Sequence, residues 1–521
     1  MSVSNNLLKY GLPTAMSGAE DPIILRAKEA LRAVRTPDKR GVYASADKLF
    51  RGAIFGRDSL EVAEDLLEFD RELIHEILTT LAQLQGTQID ESTDQKPGKI
   101  IHEHRLRPKN DDLSLVVFKD VSKNFGGNQE VVTYYGSVDS TPLYIRLLGR
   151  YVEHYGVEIL DKVVERHDKP LTFRQSLEQA TQWLVDEIDQ SPYGLLAFCH
   201  TNPTGKLMQA WKDSDEFMTH LNGESANFNK PVVAIEVQGL AYDALLYAAK
   251  LLPETAAAML DRADRLRNKT FELLWLEDEA RFALGIDMDA EGNWRQILTD
   301  TASPAELLDS MLFDDLPNND RQKYVTALVS HIFTDDFLTN AGVRSRAKSY
   351  SFVVPFWDYQ GSYTTWPKET FDIARGLYRH GFRQLSQQLT NRLVNAVIKS
   401  GGMPEFIYVD LDGNVLVGRE CPSDETQAIL INNVDKPEDI QAWTASAVYA
   451  ARHMDYDGMP LEAWKQALQS QILADIAYMP LCLTAAEIAI HYPELAFRRN
   501  GKARPNSNFF YQHTELLTST A

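Results

Sequence analysis

The segment LMQAWKDSDEFM, residues 207–218, gathers groups that could transfer protons. It places Asp213, Asp215 and Glu216 directly behind Trp211 and Lys212. The neighbouring acids would disfavour ionisation of Asp213, and the indole of Trp211 would partly remove it from water. Both effects raise a carboxyl pKa, whereas Lys212 lowers it unless its side chain points elsewhere. The segment therefore predicts that Asp213 stays protonated near neutral pH, as a general acid requires.

Aromatic, acidic and basic residues also gather in other segments between the predicted helices. These segments are FRGAIFGRDSL (50–60), GKIIHEHR (98–105), YYGSVDSTPLYI (134–145), PVVAIEVQGLAYDAL (231–245), PFWDYQGSYTTWP (355–367), GGMPEFIY (401–408) and IQAWTASAVYAA (440–451). Aromatic rings pack on the C–H faces of a pyranose, and charged groups bind its hydroxyls. Cleavage of a glycosidic bond needs two carboxyl groups, one of which protonates the leaving oxygen. The composition of these segments predicts a sugar site.

Amphipathic helices are expected to position these segments. Apolar residues recur at three- and four-residue spacing in SLEVAEDLLEFDRELIHEILTTLAQLQ, which predicts a single helix over 59–85. Similar spacing predicts helices at about 23–35, 140–155, 172–190, 231–252, 254–277, 303–315, 318–333, 367–380, 384–400, 441–453, 459–475 and 484–492. Residues 281–298 and 405–420 alternate apolar and polar positions around Asp/Gly/Asn turns, and each predicts a β-hairpin. Neither turn fits the ligand spacing of a calcium loop.

The order of these elements limits the fold class. Consecutive helices without alternating strands argue against a doubly wound sheet and a (β/α)8 barrel. No motif recurs at a fixed period, as a solenoid would require. We therefore expect an all-α closed toroid with functional loops at one end. Residues 1–44 would form an N-terminal arm and first helix, 45–500 the barrel, and 501–521 a C-terminal tail.

Composition excludes several classes of partner. The formal net charge of −21 repels phosphate backbones and anionic membrane surfaces, so neither a nucleic acid nor a membrane is expected as a partner. The three cysteines, Cys199, Cys421 and Cys482, are too far apart for a disulfide framework, which indicates free thiols in a reducing compartment. No signal peptide and no apolar run of about 18 residues is visible. We expect a cytoplasmic protein of undetermined oligomeric state.

Seven short motifs occur in the order found in the amylo-α-1,6-glucosidase-like branch of the six-hairpin glycosidases. They are FGRDSL, GKIIHEHR, VDSTPLYI, WKDSDEF, IEVQGLAYDAL, MPEF and QAWTASA. The chain resembles this branch over about residues 45–455. The branch includes the catalytic domain of glycogen debranching enzymes, with glucosyl- and mannosylglycerate hydrolases and neutral invertases as more distant relatives. The resemblance implies an (α/α)6 barrel with small β-hairpin insertions, and inversion at the anomeric carbon.

The resemblance also implies the two catalytic carboxyl groups. The general acid of the family falls on Asp213, although the additional acids of this segment leave Asp215 open. The general base falls on Glu405, with Glu420 and Glu425 as rival positions.

Substrate-binding roles follow from the same resemblance. Arg57 and Asp58 are expected to hold hydroxyls of the sugar at the non-reducing end, unless they serve only as a helix cap and its ion pair. Further contacts are expected from Phe55, His104, Arg105, Asp139, Trp211, Lys212, Glu236, Gln238, Trp357, Trp366, Gln441 and Trp443. For the buried polar members and the tryptophans of this set, plain packing inside the toroid is the alternative. His102 and His104 lack a third ligand at a suitable spacing, so no metal and no cofactor is expected.

The function expected from these observations is inverting, exo-acting glycoside hydrolysis at an α-glucosidic bond. Because the barrel uses almost the whole chain, a small soluble glucoside is favoured, either an osmolyte such as glucosylglycerol or glucosylglycerate or a disaccharide. Three alternatives stay open. They are an amylo-α-1,6-glucosidase acting on glycogen or maltodextrin branches, a glycoside phosphorylase, and a non-catalytic helical carbohydrate-binding or scaffold protein.

Overall fold

The computed structural model describes residues 21–46, 50, 52–109, 113–353, 359–416, 437–456 and 461–476. Within these ranges the chain is mostly helical. The α-helices are α1 (Pro22–Val34), α2 (Gly56–Asp65), α3 (Arg71–Leu84), α4 (Leu113–Asn124), α5 (Ser140–Tyr155), α6 (Phe173–Gln190), α7 (Ile235–Leu251), α8 (Ala256–Leu274), α9 (Asn318–Ile332), α10 (Pro367–Arg379), α11 (Arg383–Ser400), α12 (Ala442–Ala451) and α13 (Ala463–Ile476). Short 3-10 helices are Glu91–Thr93, Val157–Asp161, Ser303–Asp309, Met311–Phe313 and Lys348–Tyr350.

Short antiparallel strands lie in the connections between the helices. They are β1 (Ala53–Phe55), β2 (Glu103–Leu106), β3 (Val131–Tyr134), β4 (Val163–Val164), β5 (Leu171–Thr172), β6 (Val233–Ala234), β7 (Trp275–Leu276), β8 (Arg281–Phe282), β9 (Gly285–Met288), β10 (Trp294–Ile297), β11 (Leu338–Thr339), β12 (Gly342–Val343), β13 (Thr364–Thr365) and β14 (Ile407–Tyr408). One three-stranded sheet has the order β1-β2-β3, and another has the order β10-β9-β6. The remaining strands pair as β4-β5, β7-β8, β11-β12 and β13-β14.

Among the described residues, six helical elements contact one another in a closed ring. Helix α2 contacts α5, α5 contacts α7, and α7 contacts the 3-10 helix Ser303–Asp309. That 3-10 helix contacts α10, α10 contacts α12, and α12 returns to α2. An outer helix packs on each member of the ring, namely α3, α6, α8, α9, α11 and, on α12, the N-terminal helix α1. The mostly helical fold and its small antiparallel sheets confirm the prediction at this level.

Buried ion pairs join neighbouring members of the ring. Arg146 of α5 donates from Nε to Oε1 of Glu64 on α2 at 2.7 Å. Arg375 of α10 donates to Oδ2 of Asp309 in the 3-10 helix at 2.7 Å, and to Oδ1 of Asp65 on α2 at 2.8 Å. Because an unpaired charge in such an interior is costly, these pairs oppose any shift of one helix against the next.

Two glycines permit close approach between ring elements. A Cβ at Gly149 of α5 would stand 2.2 Å from Cδ1 of Tyr247 on α7. A Cβ at Gly376 of α10 would stand 2.6 Å from the backbone of Leu308 in the 3-10 helix. Any larger residue at either position would push the two elements apart.

The helix predicted over 59–85 is wrong as a single element. The chain turns between α2 and α3, because Asp70 caps α3 by accepting the backbone N–H of Leu73 at 3.0 Å. The helix predicted over 303–315 is two 3-10 helices instead. The other predicted helices within the described residues are present, with ends shifted by a few residues. Helix α4 was not predicted, and 484–492 lies outside the described residues.

Both predicted β-hairpins are present in shortened form. In the first, β9 pairs with β10, and in the second Val409 pairs with Val415. Asp287, the aspartate at which a calcium loop would begin in the first hairpin, accepts hydrogen bonds from Arg295 at 2.6 and 3.1 Å. Although burial opposes it, His220 and Arg295 lower the pKa of Asp287 to about 2. No helix in the described ranges has the length and apolar character needed to cross a bilayer.

Candidate active site

The N-terminal ends of the ring helices meet at one end of the toroid. Each end carries at least one polar residue, and all of them except Glu306 and Glu369 were predicted from the sequence. They are Arg57 and Asp58 on α2, Asp139 before α5, Glu236 on α7, Glu306 in the 3-10 helix, Glu369 on α10 and Gln441 before α12. Free N–H groups and the helix dipole make such ends attractive to oxygen-rich or anionic groups. This end of the ring is therefore the candidate site.

Arg57 ties α2 to the neighbouring helix and to the loop that follows α6. Its Nε donates to Oδ2 of Asp139 at 2.9 Å, and its Nη2 donates to the carbonyl of Gln209 at 3.4 Å. Asp139 is fixed in turn by the hydroxyl of Ser137, which donates at 2.6 Å. Although burial alone would lower it, Asp139 raises the pKa of Arg57, which stays fully charged.

Asp213 accepts a hydrogen bond on each carboxylate oxygen. The ammonium of Lys206 contacts Oδ2, and the hydroxyl of Tyr359 donates to Oδ1 at 2.8 Å. Burial tends to raise the pKa of Asp213, but Lys206 and then Arg57 outweigh burial and hold that pKa below its ordinary value. The prediction of a raised pKa is therefore wrong for the free protein. The determining charge lies seven positions upstream, outside the acidic run.

The two residues before Asp213 point away from it, into the ring. The indole N–H of Trp211 donates to Oε1 of Glu306 at 3.0 Å. The ammonium of Lys212, which is fully buried, contacts Oε1 of Glu369. Lys212 was expected to lower the pKa of Asp213 unless its side chain points elsewhere. Its side chain does point elsewhere, because its ammonium is directed at the carboxylate of Glu369.

Asp58, unlike Asp213, has a raised pKa. Burial raises the pKa of Asp58 to about 7, against the opposing charge of Arg57. Its Oδ1 accepts from the amide of Gln441 at 3.3 Å. Because α2 begins at Gly56, Asp58 lies in the first helical turn, and the alternative in which it serves only as a helix cap does not hold.

The segment of Glu405 is anchored beside this group. The backbone N–H of Glu405 donates to the carbonyl of Glu438 at 3.0 Å, and Thr444 of α12 donates to the carbonyl of Pro404 at 2.8 Å. The adjacent Phe406 packs on Tyr359, with 5.9 Å between ring centroids. Tyr359 is the residue that binds Asp213, so the structure brings the segments of Asp213 and Glu405 together. Glu405 itself is partly exposed. The rival positions 420 and 425 lie outside the described residues.

Three tryptophans form an aromatic wall between these segments. The ring of Trp211 lies 5.5 Å from that of Trp366 and 6.4 Å from that of Trp443, centroid to centroid. Trp366 is buried and donates its indole N–H to the carbonyl of Tyr359 at 3.0 Å, which makes it a packing residue. The indole nitrogen of Trp443 has no hydrogen-bond partner among the described residues. Trp357 lies outside the described ranges.

Three glutamates surround Lys212 below this wall, of which Glu236 and Glu369 are buried and Glu306 is partly exposed. Burial raises the pKa of Glu236 and of Glu369 to about 7, and raises that of Glu306 well above its ordinary value. Within the part of the chain that the structure describes, neither carboxylate oxygen of Glu236 has a hydrogen-bond partner. A cavity of about 30 Å³, lined by Glu236, Glu306 and Trp211 among others, lies beside them and is large enough for a water molecule. Of these three glutamates, only Glu236 was predicted.

Gln238 is a structural brace. Its side-chain oxygen accepts from the backbone N–H of Leu196 at 3.0 Å. Its nitrogen donates to the carbonyls of Leu196 at 2.8 Å and Ala234 at 2.9 Å. These bonds saturate a fully buried amide, so this residue holds the start of α7 rather than facing a ligand.

The predicted residues of β2 are engaged with their own sheet. His104 shares a hydrogen bond with the hydroxyl of Thr133 on β3 at 2.9 Å, and burial lowers its pKa to about 4. Arg105 donates to Oε1 of Glu103 at 2.6 Å. The imidazole of His104 is therefore neutral near neutral pH, and the guanidinium of Arg105 is balanced by a carboxylate of the same strand.

Sequence reasoning missed three groups that surround Asp213. Lys206 lies in an unpatterned loop and gave no signal, whereas Tyr359 falls within a segment already noted for its aromatics. His102, against which Phe55 packs edge-on at 5.6 Å, is the member of its motif that senses the charge of Asp213. Burial holds the pKa of His102 well below its ordinary value, so this imidazole is neutral.

No family model matches the chain, and no curated protein matches it in sequence. Solved structures with the same fold do match. GH63 mannosylglycerate hydrolase from Thermus thermophilus in complex with glucose superposes with a TM-score of 0.51 at 13% identity, over 83% of this chain and 100% of that chain. Its complex with Tris and D-glycerate gives 0.52 at 14% identity, over 82% and 99%. An uncharacterized conserved protein from the same organism gives 0.50 at 14%, over 83% and 100%. The fold is therefore shared with GH63 glycoside hydrolases.

Proposed function

We propose that the protein is an inverting, exo-acting glycoside hydrolase that cleaves an α-glucosidic bond. The observation that carries this proposal is the meeting of two segments that are distant in sequence, those of Asp213 and Glu405, at the helix N-termini of a closed ring. Two carboxyl groups on opposite sides of a sugar are the minimum equipment for glycoside hydrolysis. The fold shared with GH63 hydrolases supports the same reaction class.

In this mechanism Asp213 protonates the glycosidic oxygen and Glu405 activates a water molecule. Inversion requires the two carboxyl groups to stand about 6.5–9.5 Å apart, so that the water fits between Glu405 and the anomeric carbon. Arg57 and Asp58 would hold hydroxyls of the terminal sugar. With a pKa of about 7, Asp58 can donate or accept a hydrogen bond near neutral pH. The indole of Trp443 would meet the sugar face.

The substrate proposed is a small soluble glucoside. The aromatic wall and the glutamates around Lys212 would close the ring beneath the site, which favours action on a terminal sugar. GH63 mannosylglycerate hydrolase, which shares the fold, was crystallised with glucose and, in a second structure, with Tris and D-glycerate. These ligands favour an osmolyte-type glucoside such as glucosylglycerate as the substrate.

Incubation with a panel of α-glucosides, with and without inorganic phosphate, tests the reaction class. We expect free glucose and free aglycone in both buffers, with Asp213→Asn as an inactive control. A sugar phosphate formed only in the presence of phosphate would identify a phosphorylase instead. Binding of the glucosides without turnover would identify a carbohydrate-binding protein. Either result would overturn the proposed function.

A further inference from the structure

We propose that Lys206 is a positioning residue that keeps Asp213 ionised and fixed in the free protein. Asp213 then takes up its catalytic proton only when oxygen atoms on the leaving-group side of the substrate draw the ammonium of Lys206 away. The proposal rests on the proposed function, because it takes Asp213 to be the general acid.

Both carboxylate oxygens of Asp213 accept a hydrogen bond from a described residue, and one of the two donors is charged. Its Oδ2 contacts the ammonium of Lys206, and its Oδ1 accepts the hydroxyl proton of Tyr359 at 2.8 Å. The hydroxyl of Tyr359 can donate or accept, whereas the ammonium of Lys206 can only donate and favours the ionised form of Asp213. The side chains of Lys206 and Asp213 are only 15% and 18% exposed, so water screens this pair weakly. Protonation of Asp213 therefore gives up its attraction to the ammonium of Lys206, and it becomes easier when that ammonium moves away.

Lys206 is the donor that can leave. Its backbone N–H is anchored to the hydroxyl of Tyr134 at 2.9 Å, and that hydroxyl donates to Asp94 at 2.7 Å. The anchor fixes the loop, while the ammonium stays at the end of a flexible four-carbon stem. Lys206 can thus swing away from Asp213 without any change of the backbone.

The other charges around Asp213 do not replace this control. Among the residues that the structure describes, the titratable or charged groups recorded around Asp213 are Lys206, Arg57, Asp58, His102 and Tyr359. Arg57 is committed to Asp139 at 2.9 Å, and His102 is neutral. Asp58 carries the opposite sign and works against ionisation of Asp213. Lys206 is the cation that both contacts Asp213 and lies in its own loop.

The site of the chemistry indicates where Lys206 goes. A general acid stands beside the leaving oxygen, so a group bound to that acid lies on the leaving-group side of the sugar. Hydroxyl or carboxylate oxygens of the leaving group would accept hydrogen bonds from the ammonium of Lys206, which would then no longer contact Asp213. Asp213 takes its proton from solvent and gives it to the leaving oxygen as the glycosidic bond breaks. Glu405 takes a proton from the water whose oxygen bonds to the anomeric carbon, and releases that proton to solvent.

The pH dependence of kcat/KM tests the role of Lys206. Loss of its charge raises the pKa of Asp213, so the alkaline limb, which marks loss of the acid's proton, moves to higher pH. We expect Lys206→Met and Lys206→Gln to shift this limb upward by about 1 pH unit or more, since an adjacent opposite charge lowers an aspartate pKa by that much. Lys206→Arg should leave the limb in place. Lys230→Met, at an exposed lysine on a nearby loop, is the matched control.

The outcomes separate this inference from the proposed function. Full activity of Asp213→Asn would refute Asp213 as the acid. An inactive Asp213→Asn together with an unmoved alkaline limb in both uncharged Lys206 variants would refute only the role of Lys206. A double-mutant cycle of melting temperatures for Lys206→Met and Asp213→Asn gives a readout that needs no activity. We expect non-additive losses at pH 7, and additive losses would overturn the inference.

Discussion

At the scale of single residues, the pKa values of two nearby aspartates, Asp58 and Asp213, are shifted in opposite directions. Asp58 and Asp213 both sense the guanidinium of Arg57, yet the pKa of Asp58 rises to about 7 and that of Asp213 falls. The difference is Lys206, which contacts only Asp213 among the two. Burial therefore decides the protonation of Asp58, and a specific cation decides that of Asp213.

The acid and base assignments are testable one residue at a time. We expect Asp213→Asn and Glu405→Gln each to lower kcat by about 10²–10⁴-fold with the fold intact, because each removes one proton-transfer group. Asp215→Asn is the matched control and should be mild. Steady-state kinetics and a melting curve for each variant measure both effects. A crippled Asp215→Asn beside a mild Asp213→Asn would show that the acid is Asp215.

The raised pKa of Asp58 predicts a dependence of stability on pH. The folded protein keeps this proton up to about pH 7, whereas the unfolded chain releases it near its ordinary pKa of about 3.9. The wild type therefore loses stability as pH rises between these two values. Asp58→Asn cannot ionise, so its free energy of unfolding should gain on the wild type from about pH 4.5 to about pH 7.5. Urea unfolding at several pH values measures this gain, and a constant difference would refute the raised pKa.

Sequence reasoning was most reliable for residues that belong to short motifs. Arg57, Asp58, Asp139 and Gln441 do lie together, although their roles in binding remain predictions. It was least reliable for electrostatics, because the pKa of Asp213 depends on a lysine in an unpatterned loop. Nothing in a linear pattern shows which way such a side chain turns.

At the scale of elements, the loop after α6 is locked into the ring by buried contacts. Trp211 binds Glu306 of the 3-10 helix, and Lys212 binds Glu369 of α10. These contacts direct the side chains of Trp211 and Lys212 inward and leave Asp213 facing the site. The position of the proposed acid thus depends on elements far along the chain.

Breaking the buried pair should be costly to stability. Lys212→Met leaves Glu369 buried without its cation, and we expect a loss of about 3–5 kcal/mol in the free energy of unfolding. The double variant Lys212→Met/Glu369→Gln should recover much of that loss, because no charge then remains unpaired. Chemical denaturation measures all three proteins.

An exposed ion pair supplies the control. Lys250 lies 2.7 Å from Glu153, and both side chains are about half exposed. Lys250→Met should therefore cost at most about 1 kcal/mol. Equal losses for Lys212→Met and Lys250→Met would show that the Lys212 pair does not hold the loop.

Element prediction failed where local signals compete with tertiary ones. The apolar spacing of 59–85 continues across Asp70, yet the aspartate caps a new helix there. Residues 303–315 are rich in apolar side chains, but close packing against α7 and α10 at Gly239 and Gly376 accompanies a tighter 3-10 winding. These outcomes depend on neighbours that the periodicity of one segment does not contain.

At the scale of the whole molecule, ring closure joins the first described helix to the last member of the ring. Helix α1 packs on α12, and Arg452 after α12 donates to Asp21 before α1, with 3.0 Å from its Nε. Closure also brings Ser446 of α12 to Asp65 of α2 at 2.7 Å. The order of the motifs predicted such a toroid. The packing of α1 on α12 was not predicted from the sequence. The domain division at residue 44 stays a prediction.

We propose that ring closure sets Asp213 and Glu405 on opposite sides of the sugar, at the wider of the two separations found in glycoside hydrolases. Water activated by Glu405 would then attack from the face opposite the leaving group, with inversion at the anomeric carbon. Proton NMR of a fresh reaction with an α-glucoside, read before mutarotation, tests this directly. We predict that β-glucose appears first. Initial release of α-glucose would mean a covalent intermediate on a closer carboxylate pair, and would contradict the role given to Glu405.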